Sequence, residues 1–139
     1  ALAVLRRGDG RVLMILRGDD GTWGLPAGHC EEDQSFLETA RTEVSEEVDL
    51  RVAADDFVAF GSLSGDAHVL SYANGDVSQA YSLCFLAERW EGEPRPDGSE
   101  VTDLRWADPS DPPAPTHTAS AAVLGLLAAY EQSGRFQAA

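Results

Sequence analysis

The chain has 139 residues, of which 43% are hydrophobic, 24 are acidic and 10 are basic, for a net charge of −14. That length suits a single domain over residues 1–139 with a sizeable buried core. So negative a field repels nucleic-acid polymers and anionic membranes, and no stretch approaches the ~20 apolar residues of a membrane span. A small phosphorylated substrate stays compatible with this charge, because bound cations screen it locally.

All the basic residues are arginines. The two cysteines, Cys30 and Cys84, show neither a CxxC spacing nor a histidine pattern for zinc, and read as free thiols of a cytoplasmic protein. The chain opens at Ala1 inside an apolar run and without Met, so further residues are expected before it.

Residues 1–7 and 11–17 are apolar runs joined by Gly8-Asp9-Gly10, which predicts a hairpin. In the second run Val12, Met14 and Leu16 alternate with Leu13 and Ile15, so that strand is expected to be covered on both faces. Arg17 closes it beside a polar loop, residues 18–24, where a surface ion pair is the simplest role for an arginine.

Residues 25–50, LPAGHCEEDQSFLETARTEVSEEVDL, organise the rest. A loop turning at Gly28 feeds a helix expected from near Ser35 to near Asp49, with Ser35 as N-cap and Glu38 completing a capping box. Leu37, Ala40, Val44 and Val48 form the apolar stripe. Glu43, Glu46 and Glu47 stand at i, i+3 and i+4, so all three are expected to share a face. Like charges so spaced repel. A solvated acidic face is the commonplace outcome, and a divalent cation is the functional one, oxygen ligands suiting Mg²⁺ or Mn²⁺ over zinc.

Beyond the helix, residues 50–62 contain a strand and residues 68–70 a shorter one. Asn74-Gly75 marks a tight turn, residues 81–90 are a strong strand, and residues 101–107 are another. Residues 108–116 carry four prolines and act as a connector. A last helix capped by Thr118 or Ser120 runs through Tyr130, and Gly134 stops it. Strands around one helix with a second helix at the end predict a mixed sheet packed between helices.

The 25–50 segment resembles the signature of the Nudix hydrolases of MutT-like type: a glycine, five residues, a glutamate, seven residues, then Arg-Glu-apolar-x-Glu-Glu-x-Gly-apolar. Gly28, Glu43, Val44, Glu46, Glu47 and Leu50 match it. Three positions depart: Gln34 replaces a glutamate, Thr42 the arginine and Asp49 the second glycine. Gln34 and Thr42 are therefore expected to weaken a metal site or shift its geometry, while Asp49 can adopt the left-handed conformation of a helix-ending glycine.

The resemblance implies an α/β fold, the family's α/β/α sandwich with a mixed β-sheet. It implies a Mg²⁺- or Mn²⁺-dependent hydrolase of a nucleoside diphosphate linked to another moiety X, which is a small nucleotide-type substrate. The metal would be held by Gly28, Glu43, Glu46 and Glu47. Glu46, Glu47 and Glu100 would be the catalytic carboxylates, with Glu46 or Glu100 as general base, and Arg17 would contact substrate phosphate. A homodimer is compatible with this reading. The altered positions motivate a second one, a nucleotide-binding module of the same fold with weak or no catalysis. Tyr72, Tyr81 and Trp23 are candidates for a base platform, each more simply explained by packing.

Overall fold

The computed structural model describes residues 1–139, the side chain of Ala67 apart. Its strands are β1 (Leu2–Leu5), β2 (Val12–Arg17), β3 (Trp23–Gly24), β4 (Phe57–Leu63), β5 (Val69–Ser71), β6 (Val77–Gln79), β7 (Ser82–Ala87), β8 (Val101–Ala107) and β9 (Gln137–Ala138). Two helices complete it, α1 (Phe36–Val48) and α2 (Thr118–Ser133). One mixed sheet has the order β1-β7-β4-β9, an antiparallel sheet has the order β3-β2-β8, and β5 and β6 form a separate ribbon.

The expected β1–β2 hairpin forms only at its turn. Arg7 N–H donates to Arg11 O at 2.8 Å and a single bridge joins Arg6 to Val12. The strands then diverge: β1 pairs in parallel with β7, and β2 runs antiparallel to β8. The alternation along each strand explains the divergence, because both carry apolar residues on two faces and each face has its own core. Leu2, Val4, Val12 and Met14 pack with Val123, Leu124 and Leu127 of α2. Ala3, Leu5, Leu13 and Ile15 pack with Ala40, Val44 and Val48 of α1. A hairpin paired along its length would place both strands in one sheet; two cores, one under each helix, make the α/β/α sandwich.

Helix α1 begins as its residues dictate. The Ser35 hydroxyl accepts the Glu38 N–H while the Glu38 carboxylate accepts the Ser35 N–H, a complete capping box. At the other end Asp49 sits in the left-handed region, φ 58° and ψ 35°, and its N–H reaches Ser45 O, so an aspartate does the work of a helix-ending glycine.

The start of α2 departs from expectation. Neither Thr118 nor Ser120 caps it; His117 holds the N-cap position without a side-chain cap. The Ser120 hydroxyl is engaged elsewhere, accepting the Leu25 N–H at 2.9 Å and lying 3.3 Å from His117 Nδ1. It thereby pins the approach to the 25–34 loop onto the second helix. Gly134, with φ 67°, ends α2 as the sequence predicts.

The aromatic residues divide by burial. Trp23 is buried with the Arg105 guanidinium 4.6 Å from its ring centre, and Trp90 stacks on Trp106 at 5.8 Å, so all three belong to packing. Tyr72 and Tyr81, beside the β5–β6 ribbon, are exposed.

Candidate functional site

The site is assembled on one stripe of α1. Thr39, Glu43 and Glu47 recur every four residues, so each stands one turn above the last. Thr39 is fully buried and Glu47 is 5% exposed, which is rare for a carboxylate without a basic partner. The loop from Leu25 to Gln34 runs back along this stripe. Ala27 N–H donates to Glu47 Oε1 at 3.1 Å. Gly28 lies on Glu43 so closely that an added Cβ would stand 2.1 Å from Glu43 Cδ. The absence of a side chain at Gly28 is thus what lets the loop meet the helix.

Glu43 and Glu47 lie within hydrogen-bonding reach of each other. Burial is the main force holding both above the ordinary carboxylate range, and the proximity of each to the other, with Glu100 nearby, adds to it for Glu47. Two such groups crowd negative charge that a cation between them would offset.

Glu46 is placed differently. It is exposed and lines a depression of about 400 Å³ with Glu38, Arg41, Thr42, Ser45 and Leu50. Its charge still bears on Glu43. On the face expected to carry all three glutamates, Glu46 stands about 100° around the helix from the buried Glu47 and lies exposed at its edge. Among the described residues, no group of three or more His, Cys, Asp or Glu stands in a metal-holding arrangement.

Glu47 faces a cleft of about 300 Å³ that it lines with Ile15, Arg17, Asp19, Leu25, Ala27 and Glu100. Glu100 arrives there through strand register. Arg17 pairs with Val101 across β2 and β8, and Gly18 N–H donates to Glu100 O at 2.8 Å. The Asp97 carboxylate accepts the Ser99 and Val101 N–H groups at 2.9 Å each, shaping the turn that carries Glu100. Arg17 is the cation of this lining, and it is bound to its neighbours: Nη2 lies 3.0 Å from Asp19 Oδ2 and Nε 3.5 Å from Asp20 Oδ1. The simple ion-pair role and a place in the cleft hold together.

The Gly28 carbonyl accepts from the Ala1 nitrogen at 2.9 Å, which occupies one of its two lone pairs. Arg41 shares that depression with Glu38 and Glu46, and its Nε donates to Val52 O at 3.0 Å. Gln34 and Thr42, the two altered polar positions, meet: Gln34 Nε2 donates to Thr42 Oγ1 at 3.3 Å. Sequence reasoning missed this pairing and the part played by Thr39. The spacing of Thr39 to Glu43 and Glu47 was the available signal.

The donors fit a hard divalent cation. They are oxygens only, two of them on carboxylates crowded together without a basic side chain between them, beside a backbone drawn in by the missing Cβ of Gly28.

Comparison with known proteins agrees with this architecture. The structure of a MutT NUDIX hydrolase from Burkholderia pseudomallei superposes with a TM-score of 0.76 at 25% identity, covering 91% of this chain and 94% of that one. The NUDIX domain of Shewanella oneidensis NrtR, complexed with ADP ribose, superposes with a TM-score of 0.71 at 20% identity, over 94% of this chain and 85% of that one. A MutT-like protein of Streptomyces ambofaciens is 45% identical over 53 residues, which is 38% of this chain and about a third (34%) of that protein.

The fold is thus that of the MutT-type hydrolases. The NUDIX domain family model matches residues 1–126, and the chain belongs to that family.

Proposed function

We propose that this chain is a Mg²⁺- or Mn²⁺-dependent hydrolase of a nucleoside diphosphate linked to a second moiety. The observation that carries this reading is the buried Glu43–Glu47 pair beside Gly28, opening on a cleft that also holds Arg17 and Glu100. Membership of a hydrolase family supports the reaction class. An Ap4A hydrolase from C. elegans, solved as a binary complex, shares the fold with a TM-score of 0.60 at 15% identity, over 94% of this chain and 93% of that one. With the ADP-ribose complex of NrtR, it makes nucleotide diphosphates the natural substrates to try.

Glu43, Glu47 and the Gly28 carbonyl would hold the ion, with Glu46 joining from the helix flank. When bound, the ion supplies positive charge that offsets the diphosphate's own and favours attack by water. The chain's residues do the rest. Arg17, held by Asp19 and Asp20, orients a phosphate at the cleft. Glu100 takes a proton from the attacking water as its oxygen bonds to phosphorus. The bridging P–O bond breaks, its electron pair leaves with the departing phosphate, and a nucleoside monophosphate is released from a nucleotide substrate.

The alternative, a binding module that no longer cleaves, is motivated by Gln34 and Thr42. A panel of nucleoside triphosphates, sugar nucleotides and dinucleotides, ADP-ribose and Ap4A included, assayed with Mg²⁺ and with Mn²⁺, separates the two. Monophosphate release from at least one member is expected. Nucleotide binding with no turnover on any member would transfer the assignment to the module.

A further inference from the structure

The loop before α1 is tied to the helix at both ends. At one end Ala27 N–H meets Glu47 Oε1 at 3.1 Å. At the other, Gln34 makes three side-chain bonds. Its Oε1 accepts from Thr39 Oγ1 at 2.7 Å and from the Glu31 N–H at 3.2 Å, and its Nε2 donates to Thr42 Oγ1 at 3.3 Å. Between the ends Gly28 rests on Glu43. Three loop positions therefore sit along one four-residue stripe: Ala27 over Glu47, Gly28 over Glu43, and Gln34 over Thr39. Thr39 is buried, and its Oγ1 also lies 3.0 Å from Ser35 O, so the anchor under Gln34 has little freedom to move.

We propose that Gln34 is a positioning residue: with Thr39 and Thr42 it fastens segment 27–34 along the carboxylate stripe of α1 and so sets where Gly28 and Ala27 meet Glu43 and Glu47. The two departures from the family signature at 34 and 42 are then one uncharged device. Glutamate and arginine at these positions sum to zero charge, as do glutamine and threonine, so the exchange of both leaves the net charge unchanged. Glutamate at 34 or arginine at 42 alone introduces a charge without its partner at a half-buried position near the acidic pair. The role assigned to the stripe rests on the hydrolase reading; the fastening itself does not.

The test is amide hydrogen exchange on the whole ¹⁵N-labelled chain without metal, read at Ala27, paired with Mn²⁺ affinity. Gln34→Ala should speed exchange at Ala27 about fivefold, the scale of one lost hydrogen bond, although Ala27 lies seven residues away. Mn²⁺ affinity should fall about tenfold with little change in melting temperature. Gln34→Glu and Thr42→Arg should each do the same, and the double variant should return both readouts to within about twofold of the original. Unchanged Ala27 exchange in Gln34→Ala would overturn the proposal, as would a double variant equal to the product of the two singles. A parent chain that binds no Mn²⁺ would count against the hydrolase reading, and the Ala27 readout would still decide the fastening.

Discussion

Gly28 and Glu43 are in contact through the one surface that Gly28 lacks: a Cβ there would stand 2.1 Å from Glu43 Cδ and 2.2 Å from Oε1. The clash would fall on the far end of a flexible side chain, which can swing aside at small cost. Gly28→Ala should therefore change stability by less than ~1 kcal/mol while lowering turnover about a hundredfold, because a displaced carboxylate no longer meets the loop. Thermal melts and steady-state kinetics on the same preparation check this. A large loss of stability with activity per folded molecule intact would contradict it.

Glu47→Gln keeps an oxygen for the Ala27 N–H and removes one of two crowded acids. Without added cation its melting temperature should equal or exceed that of the parent. Mg²⁺ or Mn²⁺ should raise the melting temperature of the parent, by about 2.7 kcal/mol of stability at a hundred times Kd, and leave Glu47→Gln unmoved. Differential scanning fluorimetry across a cation titration measures both effects.

The two thiols differ in reach. Cys30 is exposed, whereas Cys84 is buried in β7 and burial pushes its thiol up to about 12. Thiol titration should count one group in the native chain and two in denaturant. Because the folded-state value lies above the ordinary 9.0, Cys84 contributes stability that is complete below pH 9 and is lost as pH rises toward 12. Cys84→Ala should flatten that alkaline slope of stability against pH.

Phe60 has no exposed surface and packs 5.9 Å from the Tyr130 ring, joining β4 to α2 on the side of the sandwich away from α1. Phe60→Ala should cost about 3–5 kcal/mol, seen as a lower urea midpoint, with Mn²⁺ affinity per folded molecule little altered.

Much of this architecture was legible in the residues themselves. Ser35 and Glu38 announce the start of α1, and Asp49 ends it in the left-handed conformation expected of it. The alternation in β2 foretells a strand covered on both sides. The glutamate spacing locates the acidic stripe, because a helix converts sequence interval into direction by a constant rotation.

Other features were beyond local reading. The turn at Gly8-Asp9-Gly10 is present, yet its strands go to different sheets, since pairing depends on which distant strand offers a complementary edge. Glu46 leaves the pair because helix α1 is rotated by what its apolar side buries, and Leu37, Ala40, Val44 and Val48 set that rotation jointly with both sheets. Ser120 reads as a cap by position, but the Leu25 N–H, 95 residues away, takes its hydroxyl.

By itself, then, the sequence determined what periodicity and capping decide: the extent of α1, the stop of α2 at Gly134, the two-faced strands and the acidic interval at Glu43 and Glu47. Only the tertiary structure decided which groups converge, bringing Arg17 and Glu100 to Glu47 and joining Gln34 to Thr42. The physical reason is range: helix rotation and capping act within a few residues, whereas burial and strand register join groups tens of residues apart through the rest of the fold.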